Sequence, residues 1–315
     1  MSESFKLSCP SKTFLLGEYL VLNDGPALLL NTEPRFELNV KANGKGQILG
    51  IPHDSPAGIW LRNNRLLFEK YDLEFIDPHN KMGGFGASSA QFLLIHVALQ
   101  KLKTPQLSVE ETQNFKIEQI WRMYRNVETI SSEGLRPSGA DLVSQFCGSV
   151  CEFQPEPFMA RSFHWPLEDH EVVLAHTGRK MATHEHLRGL KRVNTEELAL
   201  IYSRALETLT VHDAQAFFDS VNDYYAELLE LGLVSEPTQV SVAKLIHQNY
   251  VRAAKGCGAM GSDVIAIIIP KEQRLKLNSL LVELGLKYVS DSKNISKGIL
   301  FHEIGTASRE KENNK

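Results

Sequence analysis

Apolar and polar positions follow two rhythms along the chain. Phe36, Leu38 and Val40 are separated by Glu37 and Asn39, the period-two pattern of a strand with one face in a core and the other toward water. Leu22-Asn23-Asp24-Gly25-Pro26 interrupts two apolar runs and predicts a turn, so the opening third reads as strands and turns. The middle shifts to helical spacing. Ser108 and Glu111 form a capping-box pattern ahead of Ile117, Ile120, Trp121 and Tyr124, which share one helical face. Later, Leu277, Leu280, Leu281 and Leu284 recur at i, i+3, i+4 and i+7, and Gly285 supplies a stop. Val264 to Ile269 reads as a buried strand closed by Pro270, and Ile299 to Ile304 as a final strand. Strands and helices mix without regular alternation, which predicts an α+β fold rather than a doubly wound parallel sheet. Three prolines within Gln154 to Pro166 mark the expected domain seam, and the polar stretch Ser308 to Lys315 is expected to fray.

Composition narrows the classes. The 315 residues, 43% hydrophobic and 23% charged, suffice for one large domain or two packed ones and exclude a mostly disordered chain. With 34 Lys+Arg against 38 Asp+Glu the net charge is −4, which argues against nucleic-acid binding through bulk positive charge. No stretch approaches the roughly 20 apolar residues needed to span a bilayer, and the first residues lack the apolar core of a signal peptide. Cys9, Cys147, Cys151 and Cys257 read as reduced thiols. A soluble, cytoplasmic protein without nucleic-acid or membrane partners is expected.

Several tempting constellations carry little. Cys147 and Cys151 lack the second pair that a structural zinc site needs. His184 and His186, two apart, point to different faces of a helix and read as surface residues. His53, His79 and His164 have no obvious partners in the sequence. Trp60, Trp121 and Trp165 are too scattered for a base-stacking platform. Hydrophobic positions alone do not separate a dimer face from a core, so a homodimer stays open.

Three glycine-bearing segments and one aspartate are more informative. Lys81-Met-Gly-Gly-Phe-Gly-Ala-Ser-Ser-Ala90 runs directly into the apolar stretch Gln91 to Leu102. A glycine loop ending at a helix start aims unpaired N–H groups, and the positive end of the helix dipole, at one point, which suits phosphate. Ser88 and Ser89 add hydroxyls for Mg²⁺ or a phosphate oxygen; the plainer alternative is a glycine-rich turn with a serine cap. No Gly-Lys-Ser/Thr follows, so this is not a Walker A loop. Lys255-Gly-Cys-Gly-Ala-Met-Gly-Ser-Asp263 leads into the strand beginning at Val264 and reads either as a ligand-facing loop or as a chain reversal. Pro10-Ser-Lys-Thr-Phe-Leu-Leu-Gly-Glu-Tyr19 places one lysine between a strand and a turn. Arg136-Pro-Ser-Gly-Ala-Asp141 precedes Leu142, Val143 and Phe146; Ser138 is the expected cap, and Asp141 either stabilises the helix start or does chemistry there.

Taken in chain order (the lysine segment, the Gly/Ser loop, Ser-Gly-x-Asp and then the late glycine loop), the segments resemble the motifs of the GHMP kinase superfamily. PSKTFLLGEYLVL is similar to its first motif, GGFGASSA to its phosphate-binding second motif and KGCGAMGSDVIAII to its third, and the resemblance runs from about residue 6 to residue 304. Gly17-Glu18-Tyr19, Ser138-Gly-Ala-Asp141 and Asp263 look most like the phosphomevalonate kinases, with mevalonate kinases next; Thr177-Gly178 resembles the start of the family's second domain. Two positions depart: Met260 stands where the family has glycine, a bulk that would crowd a phosphate, and Cys257 where it has Ser or Thr.

The resemblance implies a two-domain fold, with an N-terminal ribosomal-protein-S5-like domain over residues 1–165 and a C-terminal ferredoxin-like domain over 166–307. It implies ATP and Mg²⁺, with Gly83, Gly84, Gly86, Ala87, Ser88, Ser89, Gly258 and Gly261 around ATP. Lys12 and Asp141 are implied as the catalytic couple. Glu18, Tyr19, Ser138, Gly139, Arg136, Arg179 and Lys180 are expected, with that couple, at a small-molecule acceptor. Ser88 is implied as a Mg²⁺ ligand, with Ser89 as a shifted match; Glu128 is the acidic partner, with Glu133 competing. The implied activity is phosphoryl transfer to 5-phosphomevalonate; transfer to mevalonate is the alternative, and a catalytically weak ligand-binding protein a further one.

Overall fold

The long strand β1 (Phe5–Leu16) organises the first half of this computed structural model, which describes residues 4–42, 44–104, 117–131, 137–178, 193–261 and 264–303. Nearly every residue of β1 is buried. It pairs antiparallel with β2 (Ala27–Ala42), with register shifts between Cys9 and Ser11 and between Phe14 and Leu16. Pro10, which has no N–H to give the ladder, falls in the first shift, where a bulge accommodates it. The second half of β2 pairs with β4 (Tyr71–Ile76), which also carries the short parallel β3 (Ile48–Leu49). Its first half pairs with β5 (Val150–Gln154), itself paired with β6 (Met159–Phe163). The chain's last described strand, β11 (Leu300–Glu303), returns to the free edge of β1. In β2, Phe36, Leu38 and Val40 are buried and Glu37 and Asn39 are not, as their alternation predicts.

Among the described residues, four helices accompany this sheet: α1 (Pro56–Asn63), α2 (Ala87–Lys103), α3 (Ile117–Ser131) and α4 (Ala140–Cys147). Ser89 to Leu99 of α2 are buried without interruption because β1, β2, α1, α3 and α4 all pack on it. Ile120, Trp121 and Tyr124 of α3 face the core, as their spacing predicts. The capping-box residues Ser108 and Glu111 lie outside the described residues.

The second sheet has the strand order β10-β7-β9-β8, antiparallel throughout, from β7 (His170–His176), β8 (Ala253–Cys257), β9 (Val264–Pro270) and β10 (Lys287–Asp291). Among the described residues, the helices α5 (Glu196–Thr210), α6 (Ala214–Glu230) and α7 (Glu236–Ile246) lie between β7 and β8, and α8 (Arg274–Glu283) lies between β9 and β10. Reduced to its order, this is the β-α-β-β-α-β path of ferredoxin-like sheets. Every residue of β9 is buried, and Leu277 and Leu281 of α8 face inward before Gly285 ends the helix at φ +67°.

Two features differ from the sequence reading. Met159–Phe163, inside the expected seam, forms β6, because Val150 to Gln154 offer it a pairing edge. The last strand belongs to the first sheet, so the chain crosses back after building the second.

Candidate active site

Lys12 sits on β1 just past the bulge at Pro10. Its backbone N–H donates to Phe85 O at 3.1 Å, fastening the glycine loop before α2 to the strand. Its ammonium lies 3.1 Å from Asp141 Oδ2 and 4.9 Å from the centre of the Phe14 ring. The lysine side chain is only 7% exposed and the aspartate 31%, so the couple presents its acidic end outward and its cation from a largely dry base. A charge so placed acts on a neighbouring ligand more strongly than one in water.

Gly86 makes this approach feasible. It holds φ +87°, and a Cβ there would stand 3.0 Å from Cγ and Cε of Lys12 and from Gln145 Nε2. The lysine stem lies where a side chain would otherwise be. Gly86 is also the N-cap of α2 and offers no side chain to that helix end, so the first-turn N–H groups remain for a ligand. Gly83 and Gly84 precede it in the loop, Gly84 at φ +90°, and Ala87 opens the helix. Ser88 is exposed on this first turn. Ser89 is not: it is 1% exposed, its hydroxyl donates to Gln145 Oε1 at 2.7 Å and it lies 2.9 Å from Gly86 O. Ser89, expected at ATP, thus serves the protein's interior, because one position further along α2 the side chain faces the core.

Gln145 on α4 closes the arrangement by donating to both Gly86 O and Pro10 O at 3.1 Å. The same helix carries Asp141 in its first turn. Its N-cap is Gly139, at φ +70°, rather than the expected Ser138, whose hydroxyl accepts only from Ala140 N–H at 3.3 Å. Trp121 lies under this turn. Its Nε1–H donates to Ser138 O at 2.7 Å, and a Cβ on Gly139 would come within 2.5 Å of Trp121 Cδ1. Gly139, expected at the acceptor, is therefore buried against an indole. Arg125 stacks 4.8 Å above the same ring and pairs with Asp24 at 3.0 Å.

His79 backs the glycine loop. Its ring stacks on Phe85 at 4.0 Å and its Nε2 lies 2.6 Å from Ser11 Oγ. Burial lowers its pKa to about 4, Asp77 opposing and the charge of His176 adding to the effect, so it is neutral near pH 7. Phe85 is 5.9 Å from His176, the last residue of β7, which brings the second sheet up to the loop.

The first motif binds α6 and the third motif. Gly17 N–H donates to Tyr224 Oη at 3.1 Å; Lys255 Nζ is 2.5 Å from Glu18 Oε1; and Met260 N–H donates to Tyr19 Oη at 3.1 Å. Glu18 and Tyr19, expected at the acceptor, instead point into the interior, where the buried ammonium of Lys255 requires a carboxylate partner. Cys257 is buried beside them. Its thiol pKa is raised by burial, with Lys255 opposing and Glu18 adding to the rise. Gly258 and Gly261 follow, in the turn before β9, at φ +83° and +56°.

Not all expected residues enter this picture. Arg136, Arg179, Lys180, Glu133, His184, His186 and Asp263 lie outside the described residues, and Glu128 lies in α3 with its side chain outside them. Among the described residues, no group of three or more His, Cys, Asp or Glu is placed to hold a metal ion. Sequence reasoning missed four contributors: Gln145, Trp121, His79 and Lys255. Only Lys255 left a signal, a charge within the otherwise apolar stretch Ala253-Ala-Lys-Gly-Cys257.

No protein-family model and no curated protein sequence matches the chain. Solved structures do. The mevalonate kinase of Methanococcus jannaschii superposes with a TM-score of 0.70 at 14% identity, covering 93% of this chain and 98% of that one. The Streptococcus pneumoniae phosphomevalonate kinase in complex with phosphomevalonate and AMPPNP gives 0.73 at 15%, covering 92% and 99%. Lactococcus lactis galactokinase complexed with galactose gives 0.75 at 12%, covering 95% of each. The chain has the GHMP kinase fold. Within that fold, the two glycine-bearing loops and the Lys12/Asp141 couple come from separated stretches of sequence, joined through Phe85, Gln145 and the Glu18–Lys255 pair. No helix among the described residues is long and apolar enough to cross a membrane.

Proposed function

We propose that this protein is an ATP-dependent small-molecule kinase that transfers the γ-phosphoryl group to 5-phosphomevalonate. One observation carries the reading: the Lys12 stem passes against Gly86, the N-cap of α2 without a capping side chain, and its ammonium lies 3.1 Å from Asp141. Phosphoryl transfer asks a protein chiefly to position reactants and stabilise charge, and this arrangement supplies both. The N–H groups of the first turn of α2 receive the nucleotide phosphates, and Lys12 faces the transferred group. The site suits a nucleotide: the Gly86 cradle has no Cβ, and the helix end has donors without a capping side chain. It also suits Mg²⁺ carried mainly on phosphate oxygens, since Ser88 is the exposed hydroxyl on that turn and Mg²⁺ takes few protein ligands in such sites. When bound, the ion neutralises charge on the transferred group.

Supporting this acceptor are the motif resemblance and the bound ligands named for the Streptococcus pneumoniae structure. A phosphate acceptor has a second pKa of about 6 and is nucleophilic as a dianion near pH 7. It needs cations more than a base, a role for Lys12 with Arg136, Arg179 and Lys180. The partial exposure of Asp141 favours a second reading, in which it takes the proton of a mevalonate hydroxyl while Lys12 stabilises the developing alkoxide. A coupled ADP-release assay with ATP-Mg²⁺ and, in turn, 5-phosphomevalonate, mevalonate, homoserine and galactose separates these. Turnover with 5-phosphomevalonate above the others is expected. Turnover only with mevalonate supports the second reading, and nucleotide binding without turnover on any acceptor indicates a ligand-binding protein.

A further inference from the structure

The loop between β8 and β9 holds a backbone conformation that its sequence does not favour. Met260 has φ +54° and ψ +21°, the left-handed region, within the turn Ala259–Gly261. An L side chain there brings Cβ against the following carbonyl, so the conformation needs support from outside the loop. Met260 receives it at both backbone polar groups. Its N–H donates to Tyr19 Oη at 3.1 Å, and its carbonyl accepts from Ser235 N–H at 2.9 Å. The next carbonyl, Gly261 O, accepts from Thr238 Oγ1 at 3.1 Å. Ser235 and Thr238 open α7, on the loop's own side of the molecule, whereas Tyr19 comes from the first motif, 241 residues away in sequence.

Tyr19 is suited to hold a backbone group. The residue is 4% exposed, its neighbour Glu18 is fixed by Lys255 at the head of the same loop, and its hydroxyl has Leu233 O as an acceptor at 3.5 Å. Burial raises its pKa, the Met260 N–H opposing and Glu18 adding to the rise, so the hydroxyl keeps its proton and its two-sided bonding through the neutral range.

We infer that Tyr19 is a positioning residue that presets the third glycine loop for a nucleotide's phosphates by holding Met260 left-handed. The inference rests on the nucleotide reading above and deepens it. It also accounts for a methionine at a glycine position: the cost that glycine would avoid is met by a tyrosine hydroxyl, and the loop is rigid before the ligand arrives. The side-chain oxygen touches no substrate in this role; it acts through Met260.

The test uses the full chain and three variants: Tyr19→Phe, which keeps the ring and removes the hydroxyl; Met260→Gly, which removes the need for support; and the double variant. Calorimetry with ATP-Mg²⁺ and amide hydrogen exchange at position 260 are measured for each, with near-ultraviolet circular dichroism to check that the fold is kept. Tyr19→Phe is expected to speed Met260 exchange and weaken ATP-Mg²⁺ binding about tenfold, the scale of one lost hydrogen bond, with kcat at saturating ATP changed far less than KM. The double variant is expected to recover most of that affinity. Unchanged Met260 exchange in Tyr19→Phe overturns the positioning role whatever the ligand. Unchanged affinity, or a double variant as weak as Tyr19→Phe, overturns the link to phosphate binding. A wild-type chain that does not bind ATP-Mg²⁺ overturns the nucleotide reading itself and, with it, the phosphate half of this inference.

Discussion

Glu18 and Lys255 meet at 2.5 Å with side-chain exposures of 5% and 0%, one in the turn that follows the strand carrying Lys12 and the other on the strand that enters the third glycine loop. A lysine in such a place is charged only because its surroundings outweigh the cost of drying it. Burial lowers its pKa, but Cys257 and Glu18 raise it by more, and the net direction is upward. The pair is therefore a strap between the two halves of the proposed site.

Breaking that strap from one side leaves a buried charge without a partner. Lys255→Met or Glu18→Leu is expected to lower stability by about 3–5 kcal/mol, whereas the double variant Glu18→Leu/Lys255→Met recovers most of the loss, since an apolar pair of similar volume often replaces a buried ion pair without cost. Urea denaturation of the four proteins measures this. Additive losses in the double variant would show that the two residues do not act as a pair.

Trp121 is expected to control the aspartate turn through its Nε1–H. Trp121→Phe leaves Ser138 O without its donor and is expected to cost about 1–3 kcal/mol of stability. It should also lower kcat more than it raises KM for ATP, because Asp141 lies one helical turn beyond that carbonyl while the α2 loop is untouched. Steady-state kinetics at a temperature well below unfolding separates the two effects. A variant with altered stability and unaltered kcat would confine Trp121 to the core.

The two members of the couple are expected to respond unequally. With 5-phosphomevalonate, Lys12→Met should lower kcat by about 10²-fold or more, and Asp141→Asn by about tenfold or less, since a dianionic acceptor needs no base. A loss of about 10²-fold or more in Asp141→Asn is the signature of general-base catalysis on a hydroxyl. Single-turnover rates with both acceptors decide between these outcomes.

The elements that bring Lys12, Gly86 and Asp141 together in this candidate site are partly legible in the sequence, and the limits of that reading have a physical pattern. Lys12, Gly86 and Asp141 stood out because glycine loops, helix starts and isolated charges leave local signals of turn geometry and capping. Glu18 and Tyr19 carried the same motif signal but point inward, because their partners, Lys255 and Met260, lie 237 and 241 positions away. Ser88 and Ser89 are adjacent in sequence and differ only in the face of α2 they occupy, which the packing of α4 decides through Gln145. Strands behaved likewise: the alternation in β2 was readable, whereas the return of β11 to the first sheet depends on which edge of β1 remains open.

Acid should weaken the fold through its buried histidines. Burial lowers His96 to about 4, its Phe92 carbonyl contact opposing, and lowers His79 to about 4 as well. In the unfolded chain both bind protons near pH 6.5. The unfolded state therefore takes up protons that the folded state refuses, and stability falls as pH drops from about 6.5 toward 4, with no further loss from these groups below that. Urea midpoints between pH 7.5 and pH 4 are expected to decline less steeply in His96→Phe than in the wild type. Equal slopes would remove His96 from the acid response.

The most direct measurement is a crystal structure of the full chain with a non-hydrolysable ATP analogue and Mg²⁺. The account requires the terminal phosphate within hydrogen-bond reach of Lys12 Nζ, with backbone N–H groups of Gly86 to Ser88 on the phosphate chain and the Met260 turn beside it. A nucleotide bound elsewhere, or phosphates turned away from Lys12 and the start of α2, would contradict it.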